Sequence, residues 1–374
     1  MIARPFASAA AAALLLLAGC GDDTTGPRTP PGTGKALVLV TFGQQGVTVV
    51  GDTAETVDHL DFGDVFDGAT FTVRGDTVLT TSSKFAGDLL FVADVGAGTV
   101  RTIPLPEGGN PAGVIALPPD LPAGDGADYA VALRDDRAIA LVDHRDGGVP
   151  ATRMVQGAGE CPTDVVVVAD ALVAVDGNQN CRDLYQILGP ARLIRMPLDN
   201  GSRDTLDLPA GAVSSPRAWM LANGDLVVVT AGDYGDRPGF VSRIAIDDAG
   251  GMTPDGGLAL PDGWYATASR LGDDGRLYVT AALAYPADYE PRVFAVDPAT
   301  MTFTGARVVG QQYLDLRTGE GALARCDAAT ADDDGAIYCV SNSSLTSSLR
   351  VFTPAGAMDW FAPVAGLGAD VFVR

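Results

Sequence analysis

Residues 324–340 read Ala324-Arg-Cys-Asp-Ala-Ala-Thr330, then Ala-Asp-Asp-Asp-Gly335, then Ala336-Ile-Tyr-Cys-Val340. A mainly apolar run, an Asp/Gly turn and a second apolar run predict a β-hairpin, because Asp and Gly tolerate the backbone angles of tight turns. The same figure recurs. Residues 216–221 turn at Asn223-Gly224 into 226–230, and 266–271 turn at Asp273-Asp274-Gly275 into 277–280. Residues 162–168 turn near Asp170 into 172–175. Further upstream, 111–118 lead through a Pro/Gly loop to 129–133, and 69–81 precede 89–92. A third strand opens on Arg and often closes on Asp, as in Arg137-Ala-Ile-Ala-Leu-Val-Asp143, Arg243-Ile-Ala-Ile-Asp247 and Arg292-Val-Phe-Ala-Val-Asp297. Residues 350–353 and 192–195 follow it less fully.

A hairpin plus a third strand, repeating every ~40–50 residues, is the period of a propeller blade. Six such units lie inside the chain, and a seventh is split between its ends. Gly368-Ala-Asp-Val-Phe-Val-Arg374 reads as a lone first strand, while 36–41 and 47–50 read as second and third strands without a first. Joining them closes the ring and removes exposed sheet edges. The pattern resembles the seven-bladed β-propellers of the YVTN/YncE-like kind, found among bacterial exported proteins and lipoproteins. The resemblance covers 36–374 and rests on repeat shape; the signature pairs of WD40 and kelch repeats are absent. It implies an all-β fold of four-stranded antiparallel blades forming one domain. Six and eight blades are the alternative counts, since the first two units are the faintest.

The composition agrees. Apolar residues make up 47% of the 374 residues, enough for a core, and 46 Gly with 24 Pro provide many turns. Lys and Arg number 25 against 47 Asp and Glu, a formal charge of −22. Such a surface repels nucleic acid and anionic headgroups. No feature asks for an oligomer, so a monomer is expected.

The first residues read as an address. Arg4 precedes an apolar run, 7–17, too short to span a bilayer, and Leu17-Ala18-Gly19-Cys20 resembles the bacterial lipobox. The resemblance implies a cleaved signal over 1–19, lipidation of Cys20 and attachment to the membrane through that lipid. Gly21 rather than Asp follows the cysteine, which implies the outer membrane of the cell envelope, on its periplasmic or surface side. Residues 21–35, rich in Gly, Thr and Pro, then form a flexible tether with Cys20 at its head.

Cys161, Cys181, Cys326 and Cys339 remain, an even count in an exported chain. In a propeller blade the start of the first strand lies beside the end of the second. Cys161 and Cys181 bracket one hairpin turn and Cys326 and Cys339 another, so each pair is within disulfide reach. Cross-blade pairing and free buried thiols are the alternatives.

The connections between second and third strands are long in three consecutive units, at 176–190, 231–239 and 281–291. All three are expected on the face that carries the cysteines. They hold Arg182 and Tyr185, then Tyr234 and Arg237, then Tyr285 and Tyr289. The starts of neighbouring first strands add Arg217, Trp219, Trp264 and Tyr265. Aromatics with a few charges on one rim are what a recognition surface needs. Drift in loop length explains them as well.

Signals for catalysis are sparse. The two histidines, His59 and His144, are far apart, and no nucleophile-elbow, zinc-protease or Walker pattern is present. Asp176-Gly-Asn178-Gln-Asn180 begins like a calcium loop, but Cys181 stands where Gly is required and Ile187 where the bidentate Glu belongs. These observations predict a non-enzymatic binding or scaffolding module for a protein, peptide or glycan. The alternative is a metal-dependent hydrolase or lactonase-like propeller, with calcium as the possible ion. Its site would lie at the central channel, where Asp164, Asp327 and Asp370 are the candidate carboxylates because they occupy near-matching positions in their units.

Overall fold

The computed structural model describes residues 36–374 except 52–53, 64–65, 69, 120, 122–125, 144–150, 183–185, 199–201 and 284–288. The signal, Cys20 and the tether lie outside the described residues. So do Tyr185, Tyr285 and His144.

The described residues form seven four-stranded antiparallel sheets and one small two-stranded hairpin. The innermost strands of the seven sheets are Gly366–Val373, Phe71–Arg74, Pro111–Ala116, Pro162–Val168, Arg217–Met220, Trp264–Leu271 and Ala328–Ala331. We number the blades 1 to 7 in that order. The expected seven-bladed propeller is the observed one.

Blade 1 is the closure predicted from the two ends of the chain. Gly366–Val373 pairs antiparallel with Ala36–Gly43, with Ala36 opposite Val373 and Leu39 opposite Asp370. Side chains alternate between the two faces of a strand. Ala36, Val38 and Val40 therefore face blade 7, where they pack with Tyr338, Val340 and Leu349. Leu37 and Leu39 face blade 2 and pack with Phe71, Val78 and Phe91. Every neighbouring pair of blades is joined by such a cluster. Each sheet is thus buried on both faces, which is why its inner and middle strands read as unbroken apolar runs.

The opening stretch behaves as its composition predicts. Ala328–Ala331 and Ile337–Ser343 form the hairpin of blade 7. Gly335 has φ +78°, and its N–H donates to the Asp332 carbonyl at 3.0 Å while the Asp332 carboxylate accepts from the Ala336 N–H at 2.8 Å. The cysteines pair across their hairpins, Cys161 with Cys181 and Cys326 with Cys339, with Cα separations of 5.6 and 5.4 Å. These bonds fit an oxidising, extracytoplasmic compartment.

First strands begin, and second strands end, on one face of the ring, here called the top. The long connection of blade 4 carries the small hairpin Gln179–Asn180 with Gln186–Ile187. Residues 305–327 form a further long link, from blade 6 to blade 7. Its length was not singled out from the sequence, because its short turns and isolated bridges carry no strand-like period.

Candidate functional site

The top face holds a cavity of about 270 Å³ between blades 5 and 6, at the mouth of the central channel. Its walls come from three places. Arg217 opens the inner strand of blade 5, 266–269 belong to the inner strand of blade 6, and Val229, Thr230, Ala231 and Tyr234 lead into the long connection of blade 5. Ser215 stands at the edge.

The backbone here is unusual. Ser214, Ser215 and Tyr234 adopt φ values of +66°, +33° and +57°, in a region that non-glycine residues rarely enter. Strain of this kind persists where surrounding contacts impose it. Tyr234 is one case: its ring stacks on Tyr265, with centroids 5.1 Å apart, and the Tyr265 hydroxyl donates to the Gly235 carbonyl at 2.6 Å.

Arg217 is the charged residue of the wall. Its Nε is buried without a hydrogen-bond partner. The nearest carboxylate oxygen, Asp164 Oδ2, is 3.9 Å away, close enough for attraction but too far for a hydrogen bond. Its guanidinium also lies over the Trp219 ring, 5.5 Å from the centroid. Asp164 is itself held on two sides. Its carboxylate accepts from the Val165 N–H at 2.9 Å and from the Ala218 N–H at 3.2 Å, so it joins blade 4 to blade 5. Burial pushes its carboxyl above the ordinary range, against the pull of Arg217 and of those two N–H groups. Room for it is made by Gly113 of blade 3, where a Cβ would come within 2.1 Å of the Asp164 carboxylate.

Arg270, one step deeper, gives the contrast. It is 3% exposed and hydrogen-bonded to the Asp370 carboxylate and to the Phe71 carbonyl, the latter at 2.9 Å. Asp370 also accepts from the Val371 N–H at 2.9 Å and from the Phe71 N–H at 3.4 Å, the arrangement seen at Asp164. Trp219 lies between the two arginines, 5.1 Å from Arg270, with its indole N–H donating to Ser269 Oγ at 3.2 Å. One arginine is therefore fully engaged in the channel, and the other lines the cavity with its buried Nε unpaired, 3.9 Å from Asp164.

The predicted rim comes together only in part. Tyr234 walls the cavity, and Tyr289 stands beside it with its phenol next to the Thr267 hydroxyl and its ring against Arg325. Burial raises both phenols above the ordinary tyrosine value. Tyr265 is 2% exposed beneath Tyr234, and Trp264 is turned into the blade interface against Phe294 and Tyr313. Arg237 closes its own loop on Asp233 at 2.8 Å, and Arg182 donates to the Asp135 carbonyl of blade 3.

The candidate carboxylates do not converge. Asp164 and Asp370 serve the two inter-blade junctions, and Asp327 is held by Arg325 at 3.1 Å and by the Asn342 N–H at 2.8 Å. Among the described residues no group of three or more His, Cys, Asp or Glu side chains is placed to hold a metal ion. The calcium-like loop is built otherwise: Asp176 binds Arg192 and the Cys161 N–H, and Asn178 donates to the Pro190 carbonyl.

No protein-family model matches the chain, and no curated protein does. The resemblance to YVTN/YncE-like propellers therefore stays one of repeat shape. Solved structures do match. A proposed 6-phosphogluconolactonase from Bacteroides uniformis aligns with a TM-score of 0.60 at 16% identity, over 91% of this chain and 100% of that one. The periplasmic gluconolactonase of Pseudomonas aeruginosa aligns at 0.58 and 17%, over 91% and 99%. The dihydro-haem d1 dehydrogenase NirN aligns at 0.54 and 14%, over 96% and 78%. At these identities the likeness shows the propeller fold.

The expectation of a non-enzymatic scaffold is corrected here. The three propellers just named carry enzyme names, two of them lactonases, which favours the enzyme alternative over the scaffold. The physical reason is that, among the described residues of the expected face, four are engaged internally: Trp264 and Tyr265 pack inward, and Arg182 and Arg237 brace loops. Arg217 and Trp219 belong to the expected rim as strand-start residues, and the structure brings Arg217 into the cavity wall with Trp219 beneath its guanidinium. Ser215, Thr267, Ser269 and Arg270 carried no sequence signal.

Proposed function

We propose that this protein is an exported hydrolase of small lactones, acting in the top-face cavity between blades 5 and 6. The observation that carries the reading is the Arg217 guanidinium, held at the cavity wall with its Nε buried and unpartnered. A cavity of about 270 Å³ lies near the lower end of the small-molecule range and suits a single ring.

In lactone hydrolysis, water adds to the carbonyl carbon and negative charge develops on the carbonyl oxygen. The ring C–O bond then breaks, the ring oxygen takes up a proton as a hydroxyl, and the product is a hydroxy acid that ionises. Arg217 is placed to meet the charge on the carbonyl oxygen and then on the carboxylate. Fixed donors aimed at developing charge in a water-poor site supply a large part of catalysis. Asp164, behind Arg217, orients it. The names of the similar propellers support the same reaction class.

The test is proton release from lactones by the purified protein, followed against the buffer rate. Acceleration is expected, with Arg217→Ala lowering kcat by about 10²–10³. No acceleration with any lactone refutes the reading.

We also propose lipid attachment at Cys20 in the outer membrane, supported by the lipobox-like residues that precede it. Metabolic labelling with a radioactive fatty acid checks this: label retained in Cys20→Ser rules it out.

A further inference from the structure

The cavity has one cationic donor group and otherwise little left to offer a polyol. Thr230 donates its hydroxyl proton to the Phe240 carbonyl at 3.3 Å, and Thr267 donates to the Thr280 carbonyl at 3.2 Å. Ser269 Oγ receives the Trp219 indole N–H at 3.2 Å. Ser215 adds a hydroxyl, and the remaining side chains of the wall present carbon: Val229, Ala231, Ala266, Ala268 and the Tyr234 ring. At the rim, Tyr234 and Tyr289 are 62% and 49% exposed, on a protein whose net charge of −22 marks a mostly polar surface.

We infer that the substrate is a lactone with an apolar body, its carbonyl at Arg217 and its hydrocarbon portion against the alanine and valine wall and the Tyr234–Tyr289 rim. The inference rests on the hydrolase reading for the reaction, but not for the ligand class. A sugar lactone carries more hydroxyls than Arg217, Ser215 and Ser269 can match with donors, and the remainder would be buried against carbon or against threonines left only as acceptors. Each polar group left without a partner costs about 1–3 kcal/mol. An alkyl substituent gains instead, because hydrocarbon removed from water stabilises binding in proportion to its area. The ionised hydroxy-acid product keeps the same two features, one anionic end and an apolar body. A simple alkyl carboxylate has them as well.

The test compares three lactones sharing a six-membered ring: δ-valerolactone, δ-decanolactone, which adds a pentyl tail, and D-glucono-δ-lactone. Decanoate binding, measured by calorimetry on the same intact protein, reports the ligand class without requiring turnover. The expected result is that kcat/KM for δ-decanolactone exceeds that for the other two by about tenfold or more. Decanoate binds at one site, and Arg217→Gln, shown by its melt to be folded, weakens that binding by about tenfold or more. Tyr234→Ser, at the exposed rim, narrows the difference between δ-decanolactone and δ-valerolactone. Gluconolactone hydrolysed as fast as δ-decanolactone overturns this inference and leaves the hydrolase reading standing. Decanoate bound through Arg217 with no lactone hydrolysed supports the ligand class and sinks the hydrolase reading. Neither binding nor turnover removes both.

Discussion

Arg270 of blade 6 reaches across the central channel to Asp370 of blade 1, and the same guanidinium donates to the Phe71 carbonyl of blade 2 at 2.9 Å. Its guanidinium carbon also lies 4.8 Å from the Phe71 ring centroid and 5.7 Å from that of Phe372. Blade 6 is thus tied at the axis to blades 1 and 2, the first of which closes the ring. Arg270→Met leaves the buried Asp370 without its counter-charge. It is expected to lower the unfolding free energy by about 3–5 kcal/mol in chemical denaturation. Adding Asp370→Asn should recover part of the loss. An Arg270→Met protein as stable as the parent would show that closure does not depend on this contact.

Gly113 is required by Asp164 rather than by its own backbone. A methyl group there would meet the Asp164 carboxylate at 2.1 Å and its Cα at 2.7 Å, and the second of these cannot rotate away. Gly113→Ala should destabilise by about 1–3 kcal/mol through overpacking. It should also lower lactone turnover, because Asp164 backs Arg217. Loss of stability with kcat/KM intact would separate the junction from the site.

His59 makes stability depend on pH. Its ring is half-buried, Nδ1 lies 3.1 Å from the Thr48 hydroxyl, and Nε2 is buried with no partner. Desolvation lowers its pKa, against the opposing pull of Asp61 and Asp58. A lowered folded value favours the neutral ring in the native state. Its contribution is therefore present above the ordinary value of about 6.5 and is lost as pH falls through the lowered folded value. Melting temperature should fall over that window, and His59→Gln should flatten this part of the profile. An unchanged slope in the variant would assign the pH dependence to other groups.

Each disulfide closes a hairpin, at sequence separations of 20 and 13. Loops of this length give about 3 kcal/mol each in the chain-entropy model. Replacing Cys326 and Cys339 by serine should lower the unfolding free energy by about that amount, and the Cys161/Cys181 pair likewise. The two losses should add, since the pairs lie in separate blades. Equal stability of the parent with and without reductant, after complete reduction is verified by thiol titration, would contradict this.

The strands, turns and disulfide partners were legible because each is encoded within a few residues. An apolar run with an Asp/Gly turn specifies a hairpin wherever it occurs, as at 328–343, and the cysteines that flank a turn are brought together by that hairpin alone. The aromatic rim misled for the opposite reason. Trp264 at a strand start and Tyr234 in a connection were both expected on the same rim, yet one ring packs against Phe294 and the other walls the cavity. Sheets buried on both faces give no polar alternation to tell these orientations apart.

The sequence by itself determined the all-β propeller and the split blade that closes it, and pointed to seven blades and to the two disulfides across hairpins, because periodicity and turn chemistry act over short stretches. Only the tertiary structure decided which residues meet at the channel. Arg217, Ser269 and Asp164 come from three different inner strands, and Arg270 finds Asp370 one hundred residues away. Those meetings depend on how seven sheets close around one axis, and no local pattern of residue types records that geometry.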